Sequence, residues 1–274
     1  MSAFVSFEWL KLRKRRMPWV ILCLILALTI VAFWGQATRA DGKANLFLPR
    51  GWLAALSFWA FFAQFFWPVL GGSWAGNEYG WGTIRAVLTR RPNRISHVLA
   101  ALAVLLGALA IALTAIVVVA TIAALVVSAA TGNDAFTSGV WSGTFLAVML
   151  KGFATAWYVS AFYLILAYAA AVIFRSAAIG IALGIGATLA QFVLRRILTD
   201  FGGVWQTIAD HFPVLYANNM ITQVVHEQMV PGTNLAHVDS GTPSAGQSLV
   251  ALAIYGAIAL ILMVGTVRAR DVTS

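Results

Sequence analysis

Six apolar stretches, each near or above the length needed to cross a bilayer, leave this chain very few folds to choose from. They run at about 17–34, 52–73, 98–128, 145–174, 177–194 and 249–267. A crossing helix needs roughly 20 such residues, and in lipid only helices and closed barrels satisfy every backbone N–H and C=O. Continuous runs rather than alternating ones mean helices. The third and fourth exceed a straight crossing, which predicts tilt or extension past the membrane surface. Only Arg175 and Ser176 separate the fourth from the fifth. The first run is read as a retained span, because its apolar core approaches the upper limit for a signal peptide and GQATRADG after it lacks a clean small-x-small cleavage site. The expected fold class is all-α, a polytopic membrane protein forming one transmembrane domain over residues 1–274.

Composition agrees and removes alternatives. The chain is 61% hydrophobic and 10% charged, with a mean hydropathy of +0.86, whereas about a quarter of the residues of a soluble domain are charged. No polar block is long enough to bury a core of its own, so no separate soluble domain is expected. Cys23 is the only cysteine; it excludes an intrachain disulfide and is expected to be a small buried hydrophobe.

Basic residues set the orientation. With the N-terminus inside, 12 of the 18 basic residues, but only Glu8, Glu78 and Asp271 among the acids, fall on the cytoplasmic side. The whole net charge of +9 is then cytoplasmic, and the high pI reports topology and anionic lipid rather than nucleic acid. The expected place is the cell membrane, with both termini in the cytosol.

Between the second and third spans lies NEYGWGTIRAVLTRRPNR, residues 77–94. Gly71, Gly72, Gly76, Gly80 and Gly82 predict a chain loosened as it leaves the membrane. TIRAVLT then reads as a short helix, with Thr83 a candidate N-cap and Pro92 just past its end. Ile84, Val87 and Leu88 recur at helical spacing and form an apolar stripe beside Arg85. On the residues alone two readings stay open: a positive loop resting on lipid headgroups, or a docking helix.

Chemistry-bearing patterns are few. The chain has no G-x4-G-K-[ST] phosphate loop, since Gly42-Lys43 is followed by Ala44. His211, His226, His237, Glu227 and Asp239 share the segment between the fifth and sixth spans, but Val230 stands where H-E-x-x-H needs its second histidine. No metal and no catalytic set is expected. Without acids at mid-depth, ion-coupled transport lacks its usual parts; Lys151, near the outer end of the fourth span, is expected to snorkel or pair with Asp134. The second span carries Phe58, Phe61, Phe62 and Phe65 around Gln64, with Pro68 able to kink it. The fifth carries Gly180 and Gly184 in a G-x-x-x-G face, then Gln191. Residues alone allow either a substrate route or ordinary lipid contact and helix packing. From about 195 to 247 the pattern suggests two short helices broken near Pro213 and Asn218-Asn219, followed by a turn-rich tail.

The run Glu78, Gly82-Thr83-Ile84-Arg85, Leu88-Thr89, Pro92-x-Arg94 resembles the intracellular loop of type-2 ATP-binding-cassette (ABC) exporter permeases, the bacitracin- and lantibiotic-exporter-like class. Glu8-x2-Lys11 is similar to the start of these proteins, and Arg270-Asp271 to their tail. One departure stands in the N-terminal segment, where Phe4, Phe7 and Leu10 share a side with Lys11 and Lys14. The resemblance implies an N-terminal elbow helix and a cytoplasmic coupling helix carried by Glu78, Gly82, Thr83, Ile84, Arg85, Val87 and Leu88. It also implies an outer re-entrant helical hairpin between spans five and six, and a route lined by spans two and five. The implied partners are two cytosolic ABC ATPase subunits, which bring ATP and Mg, and a second permease copy or sister permease. No cofactor is expected on this chain. The implied cargo is a hydrophobic peptide antibiotic, drug or lipid. The alternatives are a membrane anchor or assembly factor for a cytosolic partner, and a membrane enzyme or secondary transporter.

Overall fold

In the computed structural model, residues 2–39, 46–48, 50–80, 93–132, 143–222 and 243–269 are described. They form nine helices: α1 (Ser2–Lys14), α2 (Arg16–Ala37), α3 (Arg50–Gly80), α4 (Arg94–Thr131), α5 (Gly143–Phe174), α6 (Ala177–Phe201), α7 (Gly203–Ala209), α8 (Pro213–Ile221) and α9 (Ala245–Ala269). Six of them, α2 to α6 and α9, are long and apolar enough to cross a membrane. Among the described residues there is no strand beyond a single bridge residue, Leu48.

Local chemistry explains the breaks. Pro18 has no N–H to give Lys14, and its ring crowds that carbonyl, so α1 cannot run on into α2. Arg15 takes the extended conformation between them, at φ −78° and ψ 136°. Asn93 starts α4 by accepting a hydrogen bond from the Ser96 N–H at 3.1 Å, and Gly132, at φ 70°, ends it in a left-handed cap. The Ser176 hydroxyl accepts from the Ile179 N–H at the start of α6.

α3 and α5 form the buried centre, and α2, α6 and α9 lie around them. The glycines near the end of α3 do not loosen it: the helix runs unbroken to Gly80. They let neighbouring backbones approach instead. A Cβ at Gly71 would sit 2.6 Å from the Leu164 carbonyl oxygen, one at Gly72 would sit 2.8 Å from the Ile181 nitrogen, and one at Gly76 would overlap Ala177. In a bilayer, where apolar side chains gain little by leaving lipid for one another, such close approach is what holds helices together. Aromatic N–H and O–H groups add cross-links. Trp59 Nε1 donates to Thr29 Oγ1 at 2.7 Å, joining α3 to α2. Trp52 Nε1 donates to Thr121 Oγ1 at 2.7 Å, joining α3 to α4. The Tyr168 hydroxyl donates to the Val98 carbonyl at 3.0 Å, joining α5 to α4.

Other boundaries shift as well. The fifth span continues to Phe201 rather than ending near 194. Cys23, expected to be buried, lies on the exposed face of α2, as do Val20, Leu24 and Val31, where lipid is an acceptable solvent. Two short helices, α7 and α8, lie in this segment with a break at 210–212 before Pro213; the break expected at Asn218-Asn219 is absent, because α8 runs through both residues. α8 buries Val214, Leu215, Ala217 and Met220.

Candidate functional site: a buried charged cluster at the roots of the arginine-rich segment

Glu78 lies two residues before the end of α3 and His97 in the first turn of α4, so the two bracket segment 81–92. Helical phase turns both inward. Trp74, one turn before Glu78, shares its face, and all three side chains are buried. α1 packs across them and contributes Glu8 and Lys11, three residues apart and therefore neighbours on its surface.

The four ionisable groups close into one network. The Lys11 ammonium donates to both carboxylate oxygens of Glu8, at 2.9 and 2.7 Å, and also to Glu78 Oε1. Trp74 Nε1 donates to Glu8 Oε2 at 3.0 Å. His97 Nε2 lies 3.0 Å from Glu78 Oε2; an ionised carboxylate can only accept, which puts the proton on Nε2. His97 Nδ1 has no hydrogen-bond partner among the described residues and sits 3.8 Å from Glu8 Oε1. The Phe4 ring packs on the imidazole at 5.7 Å. The Lys11 ammonium and the Arg15 guanidinium each stand 4.8 Å from the Trp74 ring, a cation–π arrangement.

Glu8, Glu78 and His97 bring ligand-type atoms within 4.8 Å of one another, the donor set of a divalent cation site. Lys11 already supplies a cation to both carboxylates, so an ion would have to displace it. Taking these charges out of water costs roughly what their attraction returns. The network therefore contributes register more than stability: it fixes the N-terminal helix, the end of α3 and the start of α4 against one another at both roots of one segment.

The expected site residues fall into separate places. Gly82, Thr83, Ile84, Arg85, Val87 and Leu88 lie outside the described residues. Glu78 is bonded to Lys11 and His97; Arg85, Arg90 and Arg91, among the basic residues to which it was expected to tie the loop, lie outside the described residues. The mixed face of the N-terminal segment also has its reason: Phe4, Glu8 and Leu12 form the buried side of α1, and Lys11 beside them serves the cluster, while Phe7 and Leu10 are exposed. Phe58, Phe61, Phe62 and Phe65 make a continuous aromatic ridge, with Phe58–Phe62 centroids at 4.7 Å and Phe61–Phe62 at 5.4 Å. Phe61 is its most exposed member. Gln64 turns inward, and neither amide atom has a hydrogen-bond partner among the described residues. Gly180 and Gly184 pack within the chain, the first against Ala167 and Ala171, the second against Ala167 and Pro68. Gln191 Oε1 accepts from the Val214 N–H at 3.1 Å, satisfying one of the free donors at the start of α8. His97 and Trp74 are site residues that sequence reasoning did not single out. The available signal was a histidine four residues after the Asn93 cap of a span, at a depth where a buried imidazole needs a partner.

No curated protein matches this chain. A family model described as ABC-2 family transporter protein matches residues 4–194, a range that takes in the whole cluster, segment 81–92 and the glycine contacts between α3 and α6. The chain belongs to the ABC-2 transporter family.

Proposed function

We propose that this chain is the membrane half of an ATP-driven exporter, with its basic end in the cytosol and segment 81–92 seated on an ABC ATPase. The observation that carries the reading is the charged cluster, which ties both roots of that segment to the N-terminal helix. A loop resting on headgroups needs no such anchorage; a loop that transmits force does. Ile84, Val87 and Leu88 supply the apolar contact with the ATPase, and Arg85 pairs with its acidic groups. ATP and Mg stay on the partner, and no covalent chemistry occurs on this chain. Two permease halves, identical or sister chains, bind two ATPase subunits, and nucleotide-driven closure biases the spans between inward- and outward-open arrangements. The aromatic ridge on α3 suits a hydrophobic or amphipathic cargo, such as a peptide antibiotic, drug or lipid, held by ring faces and dispersion. α7 and α8 form the outer hairpin that roofs the route.

Copurification with an ABC ATPase encoded alongside tests the docking. Ile84→Asp and Arg85→Glu are expected to abolish recovery of the ATPase while leaving membrane insertion intact. Unchanged recovery with both variants refutes the docking role. Cargo-stimulated ATPase activity in reconstituted vesicles separates transport from simple anchoring.

A further inference from the structure

We propose that the corner between α1 and α2 holds one anionic phospholipid, with its headgroup on Arg13 and one acyl chain inserted between α2, α3 and α4. The inference requires only that the chain spans a bilayer and is independent of the transport reading. A cavity of about 300 Å³ opens there, walled at its mouth by Trp9, Arg13 and Trp19 and at its inner end by Ile25, Trp67 and Ala112. At about 30 Å³ per water-sized group it takes roughly ten chain carbons. Pro18 and Ile25 on its wall are seven residues apart on α2, so it extends about 10 Å along that helix from the basic end of the bundle.

Three observations identify the occupant. The walls are apolar apart from Arg13 and the tryptophan N–H groups, which suits a hydrocarbon chain entering from lipid. Of the basic residues at 11–16, Arg13 alone lines the cavity; Lys11 is held by Glu8 and Glu78 and Arg15 stacks on Trp74, while the Arg13 guanidinium has no ion-pair partner among the described residues. A lone cation at the mouth of an apolar cavity at the membrane surface fits an anionic headgroup. The corner is also built. Trp19 Nε1 donates to the Arg13 carbonyl at 3.1 Å, pinning α2 to the end of α1. Trp67, 2% exposed, closes the inner end.

The full-length chain, purified in detergent and stripped of lipid, is titrated with phosphatidylglycerol or phosphatidylcholine and read by native mass spectrometry. One retained phosphatidylglycerol is expected, favoured over phosphatidylcholine by about fivefold, the worth of one basic residue beside an anionic headgroup. Arg13→Gln removes the preference. Ala108→Phe, or Ile111→Trp should the first not fold, fills the cavity and removes tight retention of both lipids. Arg268→Gln, at the far end of α9, changes neither. Equal binding of the two lipids, a phosphatidylglycerol preference that survives the cavity-filling variant, or retention of palmitate in place of phosphatidylglycerol overturns the proposal.

Discussion

Lys11→Met tests the central cluster most directly, because it keeps the buried aliphatic stem and removes only the charge. Glu8 is 0% exposed and Glu78 8%, and their nearest ligand atoms lie within 4.8 Å. At an effective dielectric near 20, two carboxylates at that separation repel by about 3.5 kcal/mol. The ammonium that offsets this attracts each oxygen at about 3 Å by roughly 5–6 kcal/mol on the same scale. Two effects reduce the net loss. Trp74 and His97 still donate to the carboxylates, and the Lys11 side chain is 13% exposed, so water can reach the vacated rim. The expected destabilisation is therefore about 3–5 kcal/mol, the usual cost of stripping one partner from a buried ion pair. The assay is unfolding of the purified chain in detergent, followed by the fluorescence of its 11 tryptophans. The double variant Lys11→Met/Glu78→Gln leaves one uncompensated carboxylate instead of two and is expected to regain at least 1–2 kcal/mol, since neighbours in one network couple by this amount. A single variant within about 0.5 kcal/mol of the parent, or a double variant no more stable than the single, refutes the account.

Gly76→Val drives a branched side chain into the Ala177 backbone, so a loss of about 3 kcal/mol or more is expected, seen as loss of monodisperse protein in detergent. Gly107→Ala, where an added Cβ meets nothing within 4 Å, is expected to be neutral or slightly stabilising, because alanine costs a helix less than glycine. Trp59→Phe removes the bond to Thr29, whose hydroxyl still donates to the Ile25 carbonyl at 2.8 Å; a loss of about 1 kcal/mol is expected in the same unfolding measurement. If Gly76→Val and Gly107→Ala behave alike, the close approach of α3 to α6 is not what holds those helices.

The number and order of the spans were legible in the sequence because lipid leaves hydropathy almost no competing signal. The break between α1 and α2 was marked by Pro18, and the α7–α8 break by Pro213. The roles of the glycines at 71, 72 and 76 were not legible. Glycine serves a loosening chain and a tight helix contact equally well, and the choice depends on what stands opposite, here the Leu164 carbonyl and the Ala177 and Ile181 backbones. Gly180 and Gly184 carry the same ambiguity: the motif announces a close neighbour without naming it. The cluster itself joins residues 67 positions apart at Lys11 and Glu78. Hydrophobic periodicity says nothing about charges that meet only after two spans have folded back on each other. Glu78 was nevertheless visible as an acid placed just before the arginine-rich stretch.

Lys11 and Glu78 are separated by α2 and α3, so they meet only if the chain crosses the bilayer an even number of times between them. A nascent polypeptide that missed one crossing would strand a lysine and a glutamate in opposite leaflets, each without its counter-ion. The pair thus doubles as a parity check on biogenesis, closed by correctly threaded molecules and left open by misthreaded ones.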